Sequence, residues 1–215
     1  MKRHIEIMDT TLRDGEQTSG VSFSASEKLT IAQLLLTELK VDRIEIASAR
    51  VSDGEFQAVK KITEWAAIHG YLNKVEVLTF VDGGTSVDWM ISSGAKVMNL
   101  LTKGSLNHLK HQLKKSPEQH FSEIAESIHL AVSKGLEVNV YLEDWSNGMR
   151  NSKEYVIDYL DFIQHLPIKR ILLPDTLGVL IPSEVASFIS ELVSLKKNAH
   201  FAKVTPIITP NSPSS

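Results

Sequence analysis

The stretch IEIMDTTLRDGEQ, from Ile5 to Gln17, decides how the rest of the chain is read. Its first four residues have the β-branched character of a strand, and the residues after Met8 are polar and charged where a dinucleotide-binding fold would place a Gly-rich phosphate loop. Further short aliphatic runs recur along the chain at Arg43 to Ala47, Val75 to Phe80, Val97 to Leu101, Val138 to Leu142 and Ile171 to Leu173. Each is separated from the next by a stretch with helical periodicity. Alternation of this kind implies a parallel sheet covered by helices, either doubly wound or closed as a (β/α)8 TIM barrel.

Two features favour the barrel. The missing GxGxxG after the first strand is one. The other is that charged or hydroxyl residues stand at the C-terminal end of nearly every strand: Asp9 and Asp14, Glu45, Thr79, Thr102, Glu143 with Asp144, and Asp175 with Thr176. In a βα barrel that end builds the active site.

The helical stretches carry core stripes. Ser24 and Glu27 form a capping-box pattern ahead of Leu29, Ile31, Leu35 and Leu39. Residues Ser152 to Leu166 place Tyr155, Tyr159, Phe162 and Leu166 along one side, and Pro182 precedes Val185, Phe188, Ile189, Leu192 and Val193.

Composition narrows the chemistry. With 26 acidic and 23 basic residues the net charge is −3, which gives no electrostatic reason for a nucleic-acid or acidic-membrane partner. Zero cysteines remove disulfides, thiolate metal sites and thiol nucleophiles, so any metal must be held by oxygen or imidazole. The most apolar stretch, Ile171 to Ile181, is interrupted by Asp175 and is too short to span a bilayer. The N-terminal MKRHIEIMD lacks the apolar run of a secretion signal, so a cytoplasmic location is expected.

Length is harder to reconcile. A whole barrel takes about 250 residues and eight strands, whereas the six strands and six helices end near Leu195 of a 215-residue chain. Residues 1–197 read as a partial barrel of about six βα units, and 198–215 as a divergent, disordered tail.

Within the Asp9–Gln17 loop, Asp14 has the chemistry to ligate a hard divalent cation, and Arg13 to stabilise an oxyanion developing on a substrate. An isolated RDGE is otherwise a solvated charged turn. His108 and His111 could share a helix face, yet such a pair with no carboxylate beside it in sequence is more often surface or core than ligand, while His69, His129 and His165 read as structural.

DTTLRDGEQ, followed by EKL, RIEIASA, LEDW and LPDTLG, resembles the 2-isopropylmalate, citramalate and homocitrate synthase family of metal-dependent acyl-CoA condensing enzymes. The similarity is nearest to the citramalate members and runs from about Ile5 to Phe201. The resemblance implies a (β/α)8 barrel, a divalent metal (Mn, Mg or Zn), acetyl-CoA as co-substrate and a homodimer. By the same resemblance Asp14 is a metal ligand, Arg13 serves the enolate or alkoxide oxygen and binds substrate, and Glu143 is the acid/base carboxylate. Thr176 holds the carboxylate of the 2-oxo acid.

Leu78, Leu101 and Tyr141 match positions lining the 2-oxo acid side-chain pocket. Their bulk suits the methyl of pyruvate better than an isopropyl group, which would make the product citramalate. The same three residues also read as plain barrel core. The family's strand-7 HxH, which supplies two further metal ligands, occurs nowhere in this chain. His200 lies upstream of those positions, and a truncated gene product accounts for both the length and the missing motif. A related lyase or carboxyltransferase barrel is the alternative enzyme class, and a non-catalytic fragment the alternative to an enzyme.

Overall fold

The structure, a computed structural model, describes residues 5–195 and 204–207. The chain divides into two compact units, Met1–Asn99 with Lys134–Leu136, and Leu100–Ser133 with Glu137–Ser215.

The first unit holds β1 (Met8–Asp9), α1 (Ala25–Thr37), β2 (Arg43–Ser48), α2 (Asp53–His69), β3 (Val75–Phe80), α3 (Thr85–Ser92) and the start of β4 (Val97–Lys103). Strands β1, β2 and β3 pair in chain order and in parallel, with Met8 opposite Arg43 and Ile44 opposite Val75. Ile44, Ile46, Val75 and Val77 are all fully buried, as expected for strands covered on both faces. The first strand is shorter than the sequence suggests: Ile5 and Ile7 are exposed, and only Met8 and Asp9 pair with β2.

Helix α1 starts at the expected capping box. Ser24 Oγ accepts from the Glu27 amide at 3.3 Å, and Glu27 returns a carboxylate oxygen to the Ser24 amide at 2.8 Å. The buried face differs from the expected stripe. It runs through Lys28, Ala32, Leu35 and Leu36, while Leu39 lies beyond the helix end and is exposed. A lysine can occupy that face because its charge is matched. Lys28, 1% exposed, pairs with Glu16 at 2.5 Å and with Glu55. Desolvation dominates at Glu55 and pushes its carboxyl above the usual range even against the lysine.

The second unit holds the end of β4, the short helix α4 (Leu106–His108), α5 (Pro117–Ser133), β5 (Glu137–Glu143), α6 (Trp145–Asn151), α7 (Lys153–Ile163), β6 (Arg170–Pro174), α8 (Pro182–Leu195) and β7 (Val204–Ile207). Strands β5, β6 and β7 again pair in chain order and in parallel. Helix α7 buries Tyr155, Val156, Tyr159, Leu160 and Ile163; Phe162 sits at the edge of that face and stacks on Phe121 of α5 at 4.8 Å. Leu166 lies past the helix end.

Two hydroxyls from α7 pin the end of β4. Tyr159 Oη donates to Thr102 Oγ1 at 2.5 Å and Tyr155 Oη to the Lys103 carbonyl at 2.8 Å. Thr102 in turn donates to the Tyr141 carbonyl at 2.6 Å, and in the first unit Thr79 donates to the Asn99 carbonyl at 3.1 Å. Both threonines are buried. These two strand-end hydroxyls therefore bond backbone.

Only glycine fits at position 148 on α6, because a Cβ there would stand 2.1 Å from the Gly104 carbonyl oxygen. Strand β7 lies inside the segment expected to be a disordered tail. Val204, Thr205 and Ile207 have the branched side chains that favour a strand, and its backbone pairs Ile171 with Val204 through Pro174 with Ile207. His200 lies outside the described residues.

Candidate functional site

The sequence-predicted site residues fall into two groups, one in each unit. In the first, the chain leaving β1 turns sharply, with the Thr10 carbonyl accepting from the amides of Arg13, Asp14 and Gly15 at 3.1, 2.8 and 3.2 Å. Asp9 braces the turn by accepting from the Thr11 amide at 2.9 Å and its hydroxyl at 3.1 Å. From below, Lys28 Nζ donates to the carbonyl of Leu12 at 3.2 Å, one residue before the arginine.

Arg13 is thereby aimed at two carboxylates. Its Nη1 bonds Asp14 Oδ1 at 2.8 Å and its Nε bonds Glu45 Oε2 at 2.5 Å. Glu45 comes from β2, is fully buried, and receives a second hydrogen bond from Asn99 Nδ2 at 2.7 Å. Burial pushes the Glu45 carboxyl up, while the Arg13 charge and the Asn99 hydrogen bond pull against it. A cavity of about 540 Å³ opens on Arg13 and is also lined by Gln17, Ser48, Ser52 and Glu55. Leu78 is buried in β3, its carbonyl taken by the Ala49 amide at 2.8 Å.

In the second group, Glu143 closes β5, pairs with Lys103 and gives its carbonyl to the Gly104 amide at 2.7 Å. The next residue, Asp144, is buried with its carboxylate accepting from Ser105 Oγ at 2.6 Å and Asn147 Nδ2 at 2.7 Å. Its amide donates to Thr176 Oγ1 at 3.1 Å. Thus the structure brings Glu143 and Thr176 together through one intervening residue. Thr176 is exposed, Tyr141 is buried and Leu101 is half-buried.

The sequence reading missed Lys28, Asn99, Lys103 and His120. Lys28 had a legible signal, a cation on an apolar helix stripe with Glu16 upstream and Glu55 downstream. His120 is 1% exposed and accepts the Lys103 amide through Nε2 at 3.2 Å. Nothing in its spacing singles it out. His69, His129 and His165, read as structural, are exposed. Among the described residues no group of three His, Asp or Glu side chains could hold a metal. Asp14 alone does not make a metal centre, since divalent cations are held by several ligands at once.

The sequence pattern of the HMGL-like family matches residues 4–203. The chain belongs to the HMGL-like family. Relatives include a 2-isopropylmalate synthase of Sulfurisphaera tokodaii, 34% identical over 91% of this chain and 49% of its own length. A homocitrate synthase of Methanopyrus kandleri is 35% identical over 90% and 47%, and an (R)-citramalate synthase of Methanocaldococcus jannaschii 33% over 91% and 39%. This HMGL-like chain therefore spans half or less of the curated relatives it matches.

Among solved structures, a hydroxymethylglutaryl-CoA lyase of Bacillus subtilis superposes with a TM-score of 0.68 at 18% identity, over 94% of this chain and 67% of that one. A second lyase, from Acinetobacter baumannii, gives 0.61 at 20%, over 88% and 62%. At those identities the likeness speaks for fold alone. The fold is of the TIM-barrel type and incomplete. No helix among the described residues is long and apolar enough to cross a membrane.

Proposed function

We propose that the protein of which this chain carries the partial barrel condenses acetyl-CoA with a 2-oxo acid, pyruvate first, to give citramalate. The observation that carries the reading is Arg13, clamped between Asp14 and the fully buried Glu45 at the C-terminal end of β1. A guanidinium so held is a permanent, pre-oriented donor for an oxygen that becomes negative during reaction.

A thioester methyl is a weak carbon acid, so its deprotonation needs a placed carboxylate and stabilisation of the enolate oxygen. Glu143 takes that proton. The resulting carbon attacks the ketone carbon, the ketone oxygen becomes an alkoxide that takes up a proton, and water hydrolyses the thioester to release CoA; Arg13 is the candidate donor to the oxygen that turns negative. The Thr176 hydroxyl donates to the carboxylate of the 2-oxo acid. Leu78, Leu101 and Tyr141 are bulky and favour a methyl over an isopropyl, so 2-oxoisovalerate, giving 2-isopropylmalate, is the second substrate to test. Asp14 alone does not hold a divalent metal, and none of these steps is routed through one.

A second reading, a non-catalytic chain, is favoured by the absence of a three-ligand metal group among the described residues. Release of free CoA in the presence of Mg²⁺ or Mn²⁺, with pyruvate and with 2-oxoisovalerate, separates the two. Turnover is expected with pyruvate above 2-oxoisovalerate, and lost by at least about 100-fold in Arg13→Met and Glu143→Gln. No turnover with either acid supports the non-catalytic reading, and a strong preference for 2-oxoisovalerate overturns the pocket assignment.

A further inference from the structure

We propose that Asp144 is a positioning residue that sets the Thr176 hydroxyl for its carboxylate ligand; this deepens the assignment of Thr176 above and rests on it. Asp144 has φ 64° and ψ 21°, the left-handed conformation, at the junction of β5 and α6. For a residue with a Cβ that conformation costs roughly 1–2 kcal/mol, least for Asn and Asp, and persists only where the surroundings hold it.

The surroundings here are specific. The Asp144 side chain is 3% exposed, and both oxygens are occupied, Oδ2 by Ser105 Oγ at 2.6 Å and Oδ1 by Asn147 Nδ2 at 2.7 Å, with His108 Nε2 at 3.5 Å from Oδ2. Ser105 Oγ also accepts the His108 amide at 3.2 Å, so its one proton is committed to the carboxylate. The Asp144 carbonyl accepts the Gly148 amide at 3.0 Å and anchors the first turn of α6.

With side chain and carbonyl fixed, the remaining group is the amide, and it donates to Thr176 Oγ1 at 3.1 Å. A hydroxyl has one proton to give. Because the Asp144 amide occupies a lone pair of Oγ1, the oxygen's own proton points elsewhere. The Pro174 carbonyl, at 3.4 Å, is a long partner for it. The exposed hydroxyl is thus left as a donor toward an incoming carboxylate, while the residue before Asp144 is Glu143.

Asp144→Gly tests this in the full chain. Glycine adopts φ 64° without strain, so the backbone conformation is kept while every side-chain anchor is removed. Amide hydrogen exchange is expected to rise about tenfold in the peptide spanning residues 175–180 and in that spanning 105–108. The Kd for pyruvate, measured by calorimetry, is expected to rise at least about tenfold, matching Thr176→Val, and Asp144→Asn falls between. Wild-type exchange at residues 175–180 together with wild-type pyruvate affinity in Asp144→Gly overturns the proposal. If Thr176→Val leaves pyruvate binding unchanged while Asp144→Gly still loosens residues 175–180, the substrate role of Thr176 fails and the positioning of its hydroxyl stands.

Discussion

The two groups of site residues hold their charges in opposite ways. In the first unit Arg13 meets a glutamate with no exposed surface, and Asn99 fills that glutamate's other oxygen. In the second unit Lys103 meets Glu143 with the two side chains 15% and 24% exposed. In the first case a rigid planar cation at the edge of a cavity reaches a fully buried carboxylate, and in the second a flexible point charge meets a carboxylate that is itself partly exposed. The first arrangement fits a group that must stay fixed while charge develops beside it. The second fits a carboxylate that must exchange a proton.

The largest effect expected from this contrast is Arg13→Met. Removing one partner of a buried pair strands the other charge, at a cost of about 3–5 kcal/mol. Urea unfolding at pH 7.5 measures it. Glu45 in the variant keeps only Asn99 against its desolvation, so its carboxyl rises further and is protonated in the fold at higher pH than in the unfolded chain. Folding then takes up a proton, and the variant's deficit shrinks as pH falls from 7.5 toward 5. A deficit below about 1 kcal/mol, or one independent of pH, would break the contrast at its buried end.

The pH dependence of the second unit is expected to come from His120, whose burial pushes it down to about 4. Its neutral Nε2 accepts the Lys103 amide, and the protonated ring cannot. Since the folded value lies below the unfolded one, the unfolded chain binds the extra proton first. Stability is therefore full above about pH 6.5 and falls as the pH drops toward 4, by roughly 2–3 kcal/mol in all. His120→Gln, which keeps an acceptor and loses the titration, is expected to flatten that slope in urea titrations at pH 7.5, 5.5 and 4.5. An unchanged slope would assign the acid sensitivity to other groups.

Much of the fold was legible because it is written in local periodicity. Strands β2 to β6, the Ser24–Glu27 cap and the α8 stripe lie close to where branched residues and spacing put them. What escaped was decided by partners distant in sequence. The face of α1 rotates to bury Lys28 because Glu16 and Glu55 converge on it, 12 and 27 residues away. Strand β7 pairs in parallel with β6 although it contains Pro206, a residue that sheets disfavour. Among the candidate site residues, Arg13, Asp14, Glu143 and Thr176 are chemical types that the sequence places at or just after strand ends. The same rule also pointed to Thr79 and Thr102, which turn out to bond backbone. A hydroxyl at a strand end is legible; whether it faces a ligand or a carbonyl is set by tertiary contacts.

The smallest expected effect sharpens the contrast from its wet end. Lys103→Met removes a cation from a partly exposed carboxylate, and such pairs contribute about 0–1 kcal/mol, because water replaces the lost partner. Methionine also keeps much of the aliphatic stem, so the substitution removes mainly the charge. The expected result in urea unfolding is a change of at most about 1 kcal/mol, several times smaller than for Arg13→Met. Because Glu143 is then rehydrated and no longer pinned, any CoA-releasing activity should fall while the fold stays intact. A loss as large as that of Arg13→Met would show that Lys103 and Glu143 form a buried pair in solution, and that the two units hold their charges by the same means.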